Sequence, residues 1–101
     1  MQRPIGSLAQ IPKGEGRTYD VDGTKIAVFH GHDGAVFATQ ASCPHRAGPL
    51  ADGLIGGTTL VCPLHERMFD MTTGAGIGND DCLKIYPTAL SADGHILLTL
   101  D

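Results

Sequence analysis

The sequence is poor in positive charge. Seven Lys and Arg face eleven Asp and Glu for a formal charge of -4, and with no basic stripe to offer phosphates a nucleic-acid partner is not expected. Long apolar runs are missing as well. None approaches the roughly 20 residues that a membrane-crossing helix needs, and no apolar stretch follows Met1-Gln2-Arg3-Pro4 to make an export signal. Cysteine is both scarce and odd in number. Three residues, Cys43, Cys62 and Cys82, fit poorly with a secreted disulfide framework and predict a reducing, cytoplasmic location. No internal repeat, linker or low-complexity tract divides the chain, so its 101 residues predict one domain over 1–101, short for burying a self-sufficient core. The glycines of Thr73 to Asp81 are followed by no helical pattern and lie in no βαβ unit, which excludes a dinucleotide fingerprint.

What the chain does hold is turns and short β-rich runs. Fourteen Gly and six Pro, with 42% hydrophobic residues, describe a globular, turn-rich chain. A first strand is predicted over Ile5–Ile11 with an exit at Pro12, and a second over Arg17–Val21 ending in the hairpin signal Asp22-Gly23. Lys25–His30 and Ala35–Thr39 follow, separated by the turn Gly31–Gly34. Gly53–Gly56 with Thr59–Val61 suggests a small hairpin, Arg67–Asp70 another strand, and Thr73–Asp81 a long flexible loop. Leu83–Pro87 and His95–Leu100, with a turn at Asp93-Gly94, complete an antiparallel, all-β reading.

Two short runs interrupt this periodicity and share a shape: Cys43-Pro44-His45-Arg46-Ala47-Gly48 and Cys62-Pro63-Leu64-His65, with sixteen residues between His45 and Cys62. Two thiolates and two imidazoles delivered from separate loops suit either a tetrahedral zinc ion or a two-iron, two-sulfide cluster. Zinc sites more often take both Cys from one knuckle and both His from one helix. Here each loop gives one of each, which suits a dinuclear centre whose metals lie side by side. Pro44 and Pro63 would stiffen the loops by fixing φ, and Gly48, Gly53, Gly56 and Gly57 would let backbone N–H groups approach sulfur. A centre tying the loops together would also add stability to a small core.

The pattern C-x-H, sixteen residues, C-x2-H resembles that of the Rieske-type [2Fe-2S] proteins. The likeness extends through Cys43–Gly53, Cys62–His65, Phe69-Asp70, Thr73-Gly74 and Asp81-Cys82-Leu83-Lys84-Ile85-Tyr86-Pro87, which look like the small-subunit family of assimilatory NAD(P)H nitrite reductases. Soluble Rieske ferredoxins of ring-hydroxylating dioxygenase systems are the next resemblance. It implies an antiparallel β sandwich or barrel scaffold with a small inserted cluster-binding subdomain at about 43–70. It implies one [2Fe-2S] cluster, with Cys43 and Cys62 on one iron and His45 and His65 on the other. One-electron transfer follows, with no open position for substrate. The partner it implies is a large nitrite reductase subunit holding FAD, siroheme and a further iron–sulfur cluster, where nitrite becomes ammonium, or else an oxygenase or its reductase. A non-redox zinc module is the third possibility.

High-potential relatives carry an extra disulfide-forming Cys in each loop; Gly48 and Leu64 stand there in this chain. Rieske loops often continue after the last His with Gly and then an aromatic or Ser, where this chain has Glu66-Arg67-Met68; no sulfide-bonding Ser hydroxyl is offered there, and a carboxylate beside the cluster disfavours the added electron, with Arg67 offsetting it. A potential at the low end of the range of about -150 to +300 mV is expected. Arg46 and Arg67 flank the two His and would guide an acidic partner or stand as solvated charges. His30, His32 and His95 are expected to face solvent, Cys82 to be a buried structural thiol, and Met68, Phe69 and Met71 to pack beneath the cluster.

Overall fold

The structure, a computed structural model, describes residues 2–43, 49–63 and 67–99. Its eleven described strands form three antiparallel sheets. β1 (Gln2–Ser7), β11 (His95–Thr99) and β10 (Thr88–Leu90) make the first, in the order β1-β11-β10. β2 (Gly16–Val21), β3 (Thr24–His30), β4 (Val36–Gln40) and β9 (Ile85–Tyr86) make the second, in that order. The third, smaller sheet runs β5 (Leu54–Gly56), β6 (Thr59–Val61), β7 (Met68–Asp70), β8 (Gly76–Ile77). Among the described residues no helix is long and apolar enough to cross a membrane.

The β2–β3 hairpin turns where Asp22-Gly23 predicts. Both residues take positive φ, 53° and 85°, the geometry that a two-residue turn needs to match strand twist, and the Gly23 amide donates to the Asp20 carboxylate at 3.0 Å. β3 is the wall of the molecule. From Ile26 to His30 every residue is buried, because both faces of the strand are covered. Ile26 and Val28 join Ile11, Val21, Ala38, Tyr86, Ile96 and Leu98 in the core between the first two sheets. Ala27 and Phe29 point the other way, into a second core that contains Cys43 and Cys62.

Several expectations are corrected. Ile5–Ile11 is not one strand: β1 ends at Ser7 and Leu8–Gln10 forms a 3-10 turn. The Ser7 hydroxyl accepts from the Ala9 amide while the Gln10 side chain accepts from the Ser7 amide, a capping box of the S-x-x-Q kind. Thr73–Asp81 is not an open loop, since Gly76 and Ile77 pair with Phe69 and Met68, the Gly76 amide donates to Asp81 O and the Asp81 amide donates to the Asn79 side chain. β10 was not foreseen as a strand. Pro87 separates it from β9 and hands the chain from the second sheet to the first, as fits a residue that cannot donate to a ladder.

Candidate metal centre

Cys43 follows β4, and a narrow stem holds the chain on either side of its loop. Ser42 pairs with Pro49, and the Leu50 amide donates to Ala41 O at 3.0 Å. Gln40 braces this stem from below. Its side-chain amide donates to Ser42 O at 2.7 Å and its side-chain oxygen accepts from the Lys84 amide at 2.9 Å, so one residue joins the first stem to the chain entering β9. The sequence reading missed Gln40, for an exposed-looking glutamine at a strand end carries no signal of the segment 44 residues away that it grips.

Cys62 follows β6 in the matching position. Val61 pairs with Met68 and the Cys62 amide donates to Arg67 O at 2.7 Å, which closes the second stem. Arg67 does not stand in solvent as a lone charge. Its guanidinium donates to Asp81 at 3.2 Å, both side chains being about one-third exposed, and this ties the second stem to the turn after β8.

The two stems converge. Cys43 and Cys62 are 2% and 1% exposed and share one apolar core with Ala27, Phe29, Leu50, Leu60, Phe69, Met71 and Leu83. Gly53 sets the spacing, because a Cβ there would run into Val61 O; the backbone leaving the first loop thus lies directly against the strand that leads into the second. Gly56 and Gly57 have no such role. They turn the β5–β6 hairpin at the end away from Val61 and meet open space, so their expected approach to cluster sulfur is not found. His45 and His65 lie outside the described residues, as do Pro44, Arg46, Gly48, Leu64 and Glu66.

The remaining candidates divide. His30 is buried and its Nδ1 donates to Ile11 O at 2.6 Å, a satisfied core histidine and not a solvent-facing one; the carbonyl can only accept, which fixes the proton on Nδ1. His32 is engaged too, its Nε2 3.3 Å from Ile55 O. His95 is exposed as expected, 3.3 Å from Asp93. Cys82 is exposed, against the expectation of burial, because its neighbour Leu83 takes the inward position instead. Met71 and Phe69 are buried beneath the cysteines, whereas Met68 is turned outward.

Residues 2–87 match the Rieske [2Fe-2S] domain family. The chain belongs to that family. Rieske domains hold a [2Fe-2S] cluster and transfer electrons, and two buried cysteines held on facing stems in an apolar pocket suit the thiolate half of such a centre. Among related proteins, the ferredoxin component of a Pseudomonas aeruginosa naphthalene 1,2-dioxygenase system is 34% identical over 83% of this chain and 82% of its own. A nitrite reductase [NAD(P)H] of Emericella nidulans is 34% identical over 96% of this chain and 9% of its own length. In three dimensions, a Mycobacterium tuberculosis protein assigned as an NADH-dependent nitrite reductase small subunit superposes with a TM-score of 0.92 at 18% identity, over 100% of this chain and 96% of that one, a likeness of fold.

Proposed function

We propose that this Rieske protein is the one-electron carrier of a cytoplasmic NAD(P)H-dependent nitrite reductase, acting as its small subunit beside a large subunit that bears flavin and siroheme. In this reading Cys43 and Cys62 bind one iron and His45 and His65 the other. The observation that carries it is the run Asp81-Cys82-Leu83-Lys84-Ile85-Tyr86-Pro87, which belongs to the nitrite reductase resemblance, beside a nitrite reductase match that takes in 96% of the chain.

The bound cluster would accept and return a single electron without offering a site to substrate. The chain's own residues prepare for this in two ways. Leu50, Leu60, Phe69 and Met71 surround the buried cysteines and keep water from the thiolate side, while the paired stems at Ser42/Pro49 and Cys62/Arg67 fix where the two cysteines stand. Rigid placement keeps the nuclear rearrangement on gaining an electron small, which is what a carrier needs.

A second reading, a ferredoxin that donates electrons to a ring-hydroxylating dioxygenase, is favoured by one specific observation: the naphthalene dioxygenase ferredoxin component is matched over 82% of its own length, against 9% for the nitrite reductase. Reconstitution separates the readings. Added to the flavin and siroheme subunit, the cluster-loaded protein should stimulate nitrite-dependent NAD(P)H oxidation; stimulation of an oxygenase instead, with none of nitrite reduction, would replace the first reading by the second. The ligand assignment has its own test. Cys43→Ser, Cys62→Ser, His45→Ala and His65→Ala should each abolish the visible absorption of the mixed-ligand cluster, and a coloured variant with full iron and sulfide content would show that residue not to be a ligand.

A further inference from the structure

The exposed apolar side chains of the small sheet, Leu54, Met68 and Ile77, fall on one line with the half-buried Val61. Leu54 pairs with Val61, Val61 with Met68, and Met68 with Ile77, one residue from each strand. Register partners project to the same face about 5 Å apart, so the four make a continuous ridge roughly 15 Å long. It is the outer face. The alternate residues Ile55, Leu60 and Phe69 are buried, while Leu54 is 73% exposed, Met68 40% and Ile77 41%. Single exposed apolar residues call for no explanation, but a row of them across a whole sheet marks a contact surface.

Position and charge say what covers it. The row meets the cluster-side loop, since Val61 precedes Cys62, and Asp52, Gly53, Leu54, Val61, Cys62 and Pro63 line a shallow groove of about 330 Å³ at that end. Acidic groups border it on both sides. Asp52 lines the groove, and Asp70, two residues along β7 from Met68 and therefore on the same face, is a carboxylate that accepts from the Thr72 hydroxyl. Arg67, the nearest described cation in sequence, is already engaged by Asp81. In a chain of net charge -4, stacking two such faces would oppose like charges, so a second copy is disfavoured and a basic-rimmed surface is favoured.

We propose that Leu54, Val61, Met68 and Ile77 form the docking face for the protein that exchanges electrons with this chain, whose matching surface is an apolar patch bordered by Lys or Arg. This rests on the electron-carrier reading, and under the proposed function that protein is the large nitrite reductase subunit. Docking here would seat the partner beside the Cys62 loop.

The test is calorimetric titration of the full chain, with its cluster assembled, into the large flavin and siroheme subunit and, separately, into a dioxygenase oxygenase component. The parent should bind the large subunit. The double variant Leu54→Gln/Met68→Gln should bind at least about tenfold more weakly with an unchanged cluster spectrum, whereas Leu90→Gln, exposed on β10 of another sheet, should bind like the parent. Affinity should fall as salt is raised, and Asp70→Asn should flatten that dependence. If the parent binds only the oxygenase component, the nitrite reductase reading fails and the docking face is judged by the same variants on that component. A double variant that binds within twofold of the parent, a parent that binds neither protein, or a parent dimer in sedimentation that the double variant dissolves would each overturn the docking face.

Discussion

The amide of Cys62 donates to the carbonyl of Arg67 at 2.7 Å while the Arg67 guanidinium reaches Asp81 at 3.2 Å. One residue therefore closes the second stem through its backbone and anchors it to the β8 turn through its side chain. The two cysteines are held by different kinds of brace, a side-chain amide at Gln40 for the first and an ion pair for the second.

Removing that ion pair should loosen the second stem without unfolding the sandwich. Asp81→Ala is expected to cost up to about 1 kcal/mol, since the pair is partly exposed, or a few degrees in Tm. Its larger effect should be on the rate at which the cluster is lost in air, followed by absorbance. An unchanged loss rate would show the anchor to be incidental.

Gln40→Met keeps the volume and removes both hydrogen bonds, to Ser42 O and from the Lys84 amide. The expected cost is about 1 to 2 kcal/mol. Hydrogen exchange should localise it: the Lys84 amide should exchange faster, with the Ile96 and Leu98 amides of β11, in another sheet, as unaffected references.

Gly53 and Gly56, three residues apart, behave differently. Gly53→Ala drives a Cβ into Val61 O, whereas a Cβ at Gly56 meets nothing within 4 Å. Gly53→Ala should therefore destabilise by roughly 1 to 3 kcal/mol, while Gly56→Ala should be neutral or slightly stabilising through the unfolded chain. Denaturant midpoints of the two variants, compared at equal slope, decide the matter.

The Thr72 hydroxyl donates to the Asp70 carboxylate at 2.6 Å. This bond, followed by those from the Thr72 and Thr73 amides, holds the Asp70 carboxyl below its ordinary value of 3.8. A depressed carboxyl stabilises the fold fully above the unfolded value and loses that contribution as pH falls through the folded one. The window is thus on the acid side of 3.8. Thr72→Val should move the Asp70 titration upward toward the ordinary value, read from its carboxyl resonance by NMR; an unmoved titration would mean the hydroxyl bond is absent in solution.

Much of the scaffold was legible because its signals are local. Asp22-Gly23 announces its hairpin by the need for positive φ at two successive positions, and Lys25–His30 reads as a strand from β-branched and aromatic content alone. The 3-10 turn at Leu8–Gln10 was available from Ser7-x-x-Gln10 and was overridden by the apolar run around it. β8 and β10 were not available: two- and three-residue strands have no periodicity to detect, and they become strands only by pairing with Met68 and Phe69 of β7 and with β11. The burial of His30 and the exposure of Cys82 were misread for a related reason. Residue type sets a tendency, but which neighbour takes the inward place is settled by contacts between segments.

By itself the sequence determined the all-β class and the pairing of a Cys and a His in each of two loops, because turn chemistry and ligand spacing are written over a few adjacent residues. Only the tertiary structure decided that Cys43 and Cys62 share one buried core, that Gln40 and Arg67 brace the stems beneath them, and that Leu54, Val61, Met68 and Ile77 line up on an outer face. Those facts depend on strand register, and register is fixed by hydrogen bonds and packing between residues too distant along the chain to announce one another.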